Sequence, residues 1–547
     1  MTATWSDKSP LLDIVNIEQG LGFSQFRPLL HITPNPYANK DYVGDYWQTF
    51  PADNAAIANV KAENTPWIRP WYNDPSRLIW DEKQNIWRCF TITSSTAELN
   101  GDWHSTWMEM ASPDLCNFVN NRIPFYTKGM EYPDLWGGSI VIDEHGVTPF
   151  GKGSVLYYLT MPGVPGQTSS QQSTSLWVAP DLGMTPVFYD IVLENPGAGD
   201  IVHAPGMDFR DPRVDWDDDH KKFVMKLTVG YGITFYESTD GISWTNLSTI
   251  DLSDWQQIET PDLVPMYTPD GIKKWVLFFS LKRWEGKDAS SIGYMVGSWD
   301  GKTFHPDQNT PKRVNWGHDY YAQAISQHKG DTYCWAWMGC WTNGDLPTQG
   351  FAGNHSIITK LTLDKDSDGT YGLRFNLMPK SINMYNNHTD DWSAPTLSAA
   401  GQQTWTPPLK APGICWRVDL ELLRKDTTPL PDEIQFDFCR NGATYTRLAL
   451  RPKDGTFYLD RSNSGLTPLN KGSQYTQDSW KAIQEGTLPK EAFYTVTVMF
   501  DVSTVEIIIN NQSYLSTLIF PPEDAFSMVL SAIGDGEVVL RRATMRY

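Results

Sequence analysis

Three segments place a carboxylate beside a proline between strand-forming residues: WYNDPSRLIWD (71–81), FRDPRVDWD (209–217) and IETPDLVPM (258–266). A buried carboxylate is costly unless something pairs with it or uses it. Asp74, Asp211 and Glu259 therefore each have a turn, an ion pair or chemistry as the reason for their presence. Taken singly, Asn-Asp-Pro and Arg-Asp-Pro read as turns, because the residue before proline avoids the helical region and Asx side chains cap turns. For Asp211, an ion pair with Arg210 or Arg213 is the further structural reading. Three such segments change the balance, since carboxylates that converge can act as acid, base and nucleophile.

What would position them is a set of sheets. Short runs rich in Val, Ile, Thr, Tyr, Phe and Trp recur, such as NIWRCFTIT, SVLYYLTM, KFVMKLTV, KWVLFFSL and TYCWAWMG. They alternate with turn clusters, the rhythm of antiparallel meanders. A loose repeat of Ser-x-Asp-x-x-x-Trp/Phe tails (SPDLCNF, STDGISW, GSWDGKTF) marks where one strand runs into a tight turn. Repeated four-stranded units point to a β-propeller. Residues 22–378 shared among five units allow roughly 70 residues each. The gaps between the three acids put them in different blades, whose first strands converge on one axis. The best short helix candidate is SWKAIQEG (479–486).

Composition narrows the ligand. The 547 residues carry a net charge of -20, which argues against nucleic acid as a partner. No apolar run is long enough to cross a bilayer, so no membrane partner is expected. The 24 Trp, 24 Tyr and 23 Phe suit large sheet cores, and equally a surface on which sugar rings stack. The six cysteines form no CxxC pair and are expected to be free thiols, although Cys334 and Cys340 could bridge across a turn. DKDSDG (364–369) opens like a calcium loop, but Phe375 stands where the twelfth position needs Glu. Neither a metal nor a cofactor is expected. The start lacks a signal-peptide pattern, so the chain is read as intracellular or as a mature secreted form. The Asn-x-Ser/Thr sites at Asn246, Asn354, Asn387 and Asn511 do not decide between them.

Residues 381–410 are polar with Pro and Gly and read as a linker. Seven alternating runs follow, predicting an antiparallel sandwich over 411–547. The expected architecture is thus all-β: a five-bladed propeller over 1–380, with 1–21 as an N-terminal extension, then the linker and the sandwich.

Ordered motifs sharpen this. RPLLHITP (27–34), WYNDPSR, WGGSIVID (136–143), FRDPRVDW, IETPDL, DYYAQ, WAWMGCW (335–341) and DVSTVEIIIN (501–510) follow one another along the chain. In this order they resemble the markers of glycoside hydrolase family 32, the invertases, inulinases, levanases and fructosyltransferases. The resemblance spans about residues 25–547 and implies the propeller and sandwich already described. It implies Asp74 as nucleophile, Glu259 as general acid/base and Asp211 as transition-state stabiliser. Asn73, Trp107, Trp136, Ser139, Arg210, Tyr321 and Trp341 match positions implied to bind substrate. The implied activity is retaining β-fructofuranosidase chemistry on sucrose or fructo-oligosaccharides, with transfructosylation. Alternatives are action on levan or inulin, and a fructan-binding protein without catalysis. A small carbohydrate is the expected partner, with a homodimer left open. Such chemistry needs Asp74 ionised and Glu259 protonated at the first step, with the Glu259 pKa raised.

The chain departs from the family pattern in places. Ser76-Arg77 replace Asn-Gly after the nucleophile's proline, Ile92 replaces a Gln, and Thr260 replaces a Cys after the acid/base. An aromatic-rich insertion at about 35–70 is expected to roof the pocket, make a subunit contact or form a plain surface loop.

Overall fold

Alternating β-branched and aromatic residues separated by Asp- and Gly-bearing turns favour hairpins, and hairpins dominate the computed structural model. It describes residues 26–34, 71–94, 105–125, 134–163, 171–196, 208–255, 257–282, 290–339, 346–348, 351, 353–383, 385, 388–392, 396–408, 413–467, 480–489 and 491–547. Trp341 and the 35–70 insertion lie outside them.

Five antiparallel sheets follow one another. Their first strands are Trp71–Asp81, Gly138–Ile142, Phe209–Asp217, Ile258–Tyr267 and Tyr321–His328. In each sheet the first, second and third strands lie side by side in chain order, with a fourth strand outside. Each first strand touches the first strand of the next sheet, and Tyr321–His328 touches Trp71–Asp81, so the contacts close a ring. The Ser-x-Asp repeat has a physical basis. Asp114 accepts the amides of Cys116 and Asn117, and Asp240 accepts those of Ile242 and Ser243. Asp300 accepts those of Lys302 and Thr303. Each is an Asx turn after the third strand of its sheet.

Charged side chains link the first strands of the ring to one another. Arg77 pairs with Asp215 and with Asp262, and buried Lys226 pairs with Asp215. This accounts for the departure at Ser76-Arg77. The Ser76 hydroxyl donates to Gly138 O, 3.0 Å away, tying the first sheet to the second, while Arg77 joins three first strands across the axis.

Two further sheets pack face to face over a shared apolar core. One is ordered Thr389–Trp392, Glu537–Arg546, Cys415–Arg424, Phe493–Asp501, Thr504–Ile509, Ser513–Leu518. The other is Thr404–Trp405, Ser527–Ile533, Glu433–Asn441, Thr444–Arg451, Thr456–Asp460, Gln484–Thr487. The stretch expected to be a linker thus supplies edge strands, including Thr396–Ser398 on Glu537–Arg546. Of the helix expected near 479–486, only Trp480 and Lys481 are helical among the described residues, and Gln484–Thr487 is an edge strand paired with Thr456–Asp460. Cys89, Cys116, Cys334, Cys415 and Cys439 are free, as expected.

Candidate active site

The three acids come together from three first strands, each at a break in its ladder. The pairing register shifts around Asp74-Pro75, around Asp211-Pro212 and between Glu259 and Asp262. Asp211 and Thr260 adopt φ of 60° and 50°. Left-handed residues at bulges re-aim neighbouring side chains and store strain, a feature concentrated at functional sites. The fifth sheet does the same: Ala322, with φ 53°, follows Tyr321 where that ladder shifts.

Asp74 is the partly exposed residue in a stretch, Trp71 to Leu78, that is otherwise buried. Its Oδ1 is buried without a hydrogen-bond partner. Burial, then the charges of Asp211 and Glu259, hold its pKa well above the usual range, against the opposing pull of Arg213 and Arg210. Asp211 is locked by its backbone: its amide donates to Thr160 Oγ1 at 2.8 Å and its Oδ2 accepts the Thr260 amide at 3.0 Å. Burial raises its pKa, the Arg210 charge lowers it, and Glu259 raises it again, leaving it raised overall.

Glu259 is surrounded differently. Arg210 Nη2 donates to Oε1 at 2.8 Å, the Tyr321 hydroxyl donates to Oε2, and Lys282 Nζ lies 3.5 Å from Oε1. Burial pushes its pKa up, but Lys282, Arg210 and Tyr321 outweigh it and leave the pKa lowered. This corrects the expectation of a raised value: two cations and a phenol face the acid/base, while burial and neighbouring carboxylates raise Asp74 and Asp211 instead. Arg210 is itself held by Asp208.

The remaining sequence-derived residues divide by position. Arg210 and Tyr321 touch Glu259 directly. Asn73 is buried next to Asp74, its Oδ1 unpartnered and its carbonyl accepting from His355 Nε2 at 2.9 Å. Trp136 is partly exposed beside Gly137. Trp107 and Ser139 are fully buried. The Trp107 indole donates to Trp136 O at 2.8 Å. The Ser139 hydroxyl donates to Pro212 O and accepts the Val214 amide, both at 2.8 Å. These two brace the backbone that carries Trp136 and Asp211. Ile92, at the missing Gln, is core. Thr260, at the missing Cys, bonds through Oγ1 to Ser280 Oγ at 2.8 Å.

Sequence reasoning passed over Thr160 and Lys282, and named Arg213 only as an ion-pair candidate for Asp211. Lys282 leaves one trace in sequence, a cation directly after the apolar run KWVLFFSL. No group of three or more His, Cys, Asp or Glu suited to a metal occurs among the described residues.

A closed ring of sheets whose first strands deliver three acids to one pocket, backed by a β-sandwich, defines a class of propeller-based glycoside hydrolases. Residues 68–372 match the family described as "Glycosyl hydrolases family 32 N-terminal domain", and residues 394–545 match "Glycosyl hydrolases family 32 C terminal". The chain belongs to glycosyl hydrolase family 32. It is 32% identical over 317 residues to the levanbiose-producing levanase of Bacillus subtilis (strain 168), covering 55% of this chain and 58% of that protein. It is 29% identical over 359 residues to the invertase of Schizosaccharomyces pombe, covering 61% and 58% respectively. Both matches span less than two thirds of the relative's length. The exo-inulinase structure from Aspergillus awamori superposes with a TM-score of 0.76 at 22% identity, covering 95% of this chain and 98% of that one. That likeness agrees with the expected propeller followed by a sandwich.

Proposed function

We propose that this protein is a retaining β-fructofuranosidase that cleaves the fructosyl bond of sucrose or fructo-oligosaccharides and also transfers the fructosyl group. Asp74 attacks the anomeric carbon as the bond to the leaving oxygen breaks, and Glu259 gives that oxygen its proton. Glu259 then takes a proton from water, which attacks the same carbon and releases Asp74. A sugar hydroxyl in place of water gives transfer. Asp211, fixed by Thr160 and Thr260, holds the furanose hydroxyls where the oxocarbenium-like charge develops. Asn73 and Trp136 line that sugar, and Trp341 joins them.

The observation that carries the reading is the meeting of Asp74, Asp211 and Glu259, which interact electrostatically with one another from three separate strands. The cycle needs one proton on the trio, but on Glu259. The neighbours of Glu259 favour its anion, whereas Asp74 and Asp211 are the raised groups, so the bound sugar is what must favour the proton on Glu259. The levanase similarity favours a second reading, a fructanase acting on levan or inulin by the same steps. We also propose that each of the five ring sheets is one blade, with the propeller over 1–380 and the sandwich over 411–547 extended by the edge strands of 389–405.

Asp74→Asn and Glu259→Gln test the assignment. Turnover of sucrose, inulin and levan, followed by product chromatography, is expected to fall by at least about 10²–10⁴-fold in each variant. Near-normal turnover in either overturns the roles. Fructan binding without turnover in the unaltered protein indicates a binding protein instead.

A further inference from the structure

We propose that Lys282 is a positioning residue for the acid/base: its ammonium pairs with the Glu259 carboxylate and yields that place when a sugar hydroxyl enters. This deepens the fructosidase reading and rests on it.

The placement is specific. Lys282 directly follows the second strand of the fourth sheet, Lys273–Leu281, while Glu259 sits near the start of the first strand, Ile258–Tyr267. Ile258 pairs with Leu281, so Lys282 lies one step beyond the last pair, level with Gln257. Its amide donates to Gln257 O at 3.2 Å, which fixes the backbone. Its ammonium reaches Glu259 Oε1 at 3.5 Å, and its side chain remains 31% exposed. The reach is too long for a tight hydrogen bond, and the partial exposure leaves room to swing away.

Arg210 and Tyr321 differ from it. Both are buried and bonded directly to Glu259, and Arg210 is anchored again on Asp208. Neither can leave without breaking the site. Around Glu259, the third sheet presents Arg210 and Asp211, the first sheet Asp74, the fifth sheet Tyr321, and its own sheet Lys282. Lys282 is the cation of this set with solvent to move into.

Lys282 Nζ and the leaving-group oxygen compete for the same carboxylate. When the leaving oxygen approaches Glu259, it displaces the ammonium, which turns to the hydroxyls of the leaving sugar. Glu259 loses one stabilising charge and gains a proton, while Asp74 gives one up and becomes the nucleophile. No bond changes other than this proton's, and no further reactant is needed.

Lys282→Met and Lys282→Gln test this through the pH profile of kcat/KM on sucrose. With Asp74 raised and Glu259 lowered, Glu259 sets the acid limb. Removing the ammonium is expected to move that limb to higher pH by about one unit, the usual influence of one opposite charge at this range. The alkaline limb stays in place, and Lys282→Arg keeps the original acid limb. A lysine that merely supports the fold would lower kcat/KM at every pH without moving a limb. An unmoved acid limb in both neutral variants overturns the proposal. Failure of the fructosidase reading is distinct, since the unaltered protein would then cleave no fructoside at all.

Discussion

At Gly137 the site leaves no room for a side chain. A Cβ there would lie 2.2 Å from Asp211 Oδ1. Beside it, Gly137 O accepts from the Thr160 hydroxyl, whose oxygen in turn accepts the Asp211 amide. The glycine is required by the carboxylate facing it rather than by a turn. Gly137→Ala is therefore expected to push Asp211 aside and lower kcat on sucrose by about 10²-fold, the scale of an ångström's misplacement. Melting would change little if the displacement is confined to the pocket. Unchanged kcat would mean that Asp211 does not need its present position. Residue identity was legible here in part. The acids and their proline neighbours announced themselves, because Asp-Pro inside strand-forming runs is hard to explain by packing. Their protonation order was not legible, since it depends on Lys282, Arg210 and Tyr321 arriving from two other sequence regions.

Strands and turns were readable for a related reason. Two-residue alternation and Asx turns are local chemistry, so the meanders and the Ser-x-Asp tails could be placed from sequence. The bulges were not, because a left-handed Asp211, Thr260 or Ala322 has no sequence mark comparable to glycine. Yet these breaks aim the acids inward. Residues 389–405 show the opposite failure. Polar, Pro- and Gly-containing sequence reads as linker, but backbone pairing with Glu537–Arg546 and Ser527–Ile533 needs no apolar side chains to make it a sheet edge. SWKAIQEG likewise has helical composition, and the free edge of Thr456–Asp460 captures its end as a strand.

At the scale of the whole molecule, the motifs left over from the chemistry join the two halves. His31, from RPLLHITP, is fully buried between Asp501 and Glu506 of DVSTVEIIIN, with Nδ1 and Nε2 at 2.8 and 2.9 Å. Asp501 also accepts the amides of Leu29, Leu30 and His31, and Glu506 that of Ile357 in the fifth sheet's region. Asp319, from DYYAQ, pairs with fully buried Arg461 and accepts the Leu518 amide. One motif thus serves two ends, Asp319 at the joint and Tyr321 at the acid/base. Burial would lower the His31 pKa, but its bonds to Asp501 and Glu506 raise it to about 9. The folded value exceeds the ordinary 6.5, so the stabilisation is complete below pH 6.5 and fades as pH rises through about 9. His31→Ala should cost about 3–5 kcal/mol by stranding buried carboxylates. In melts across pH, its deficit should be largest below pH 6.5, shrink between 6.5 and about 9, and stay small above that; a deficit constant with pH would contradict this.

The central claim is that Asp74 forms a bond to the sugar while Glu259 manages the proton. Its most direct test uses Glu259→Gln with a fructosyl donor whose leaving group needs no proton, quenched in acid and mapped by mass spectrometry. The account predicts that one fructosyl residue accumulates on the peptide containing Asp74, because attack proceeds and hydrolysis stalls without its base. Donor consumption with no adduct, or an adduct on another carboxylate, would contradict it.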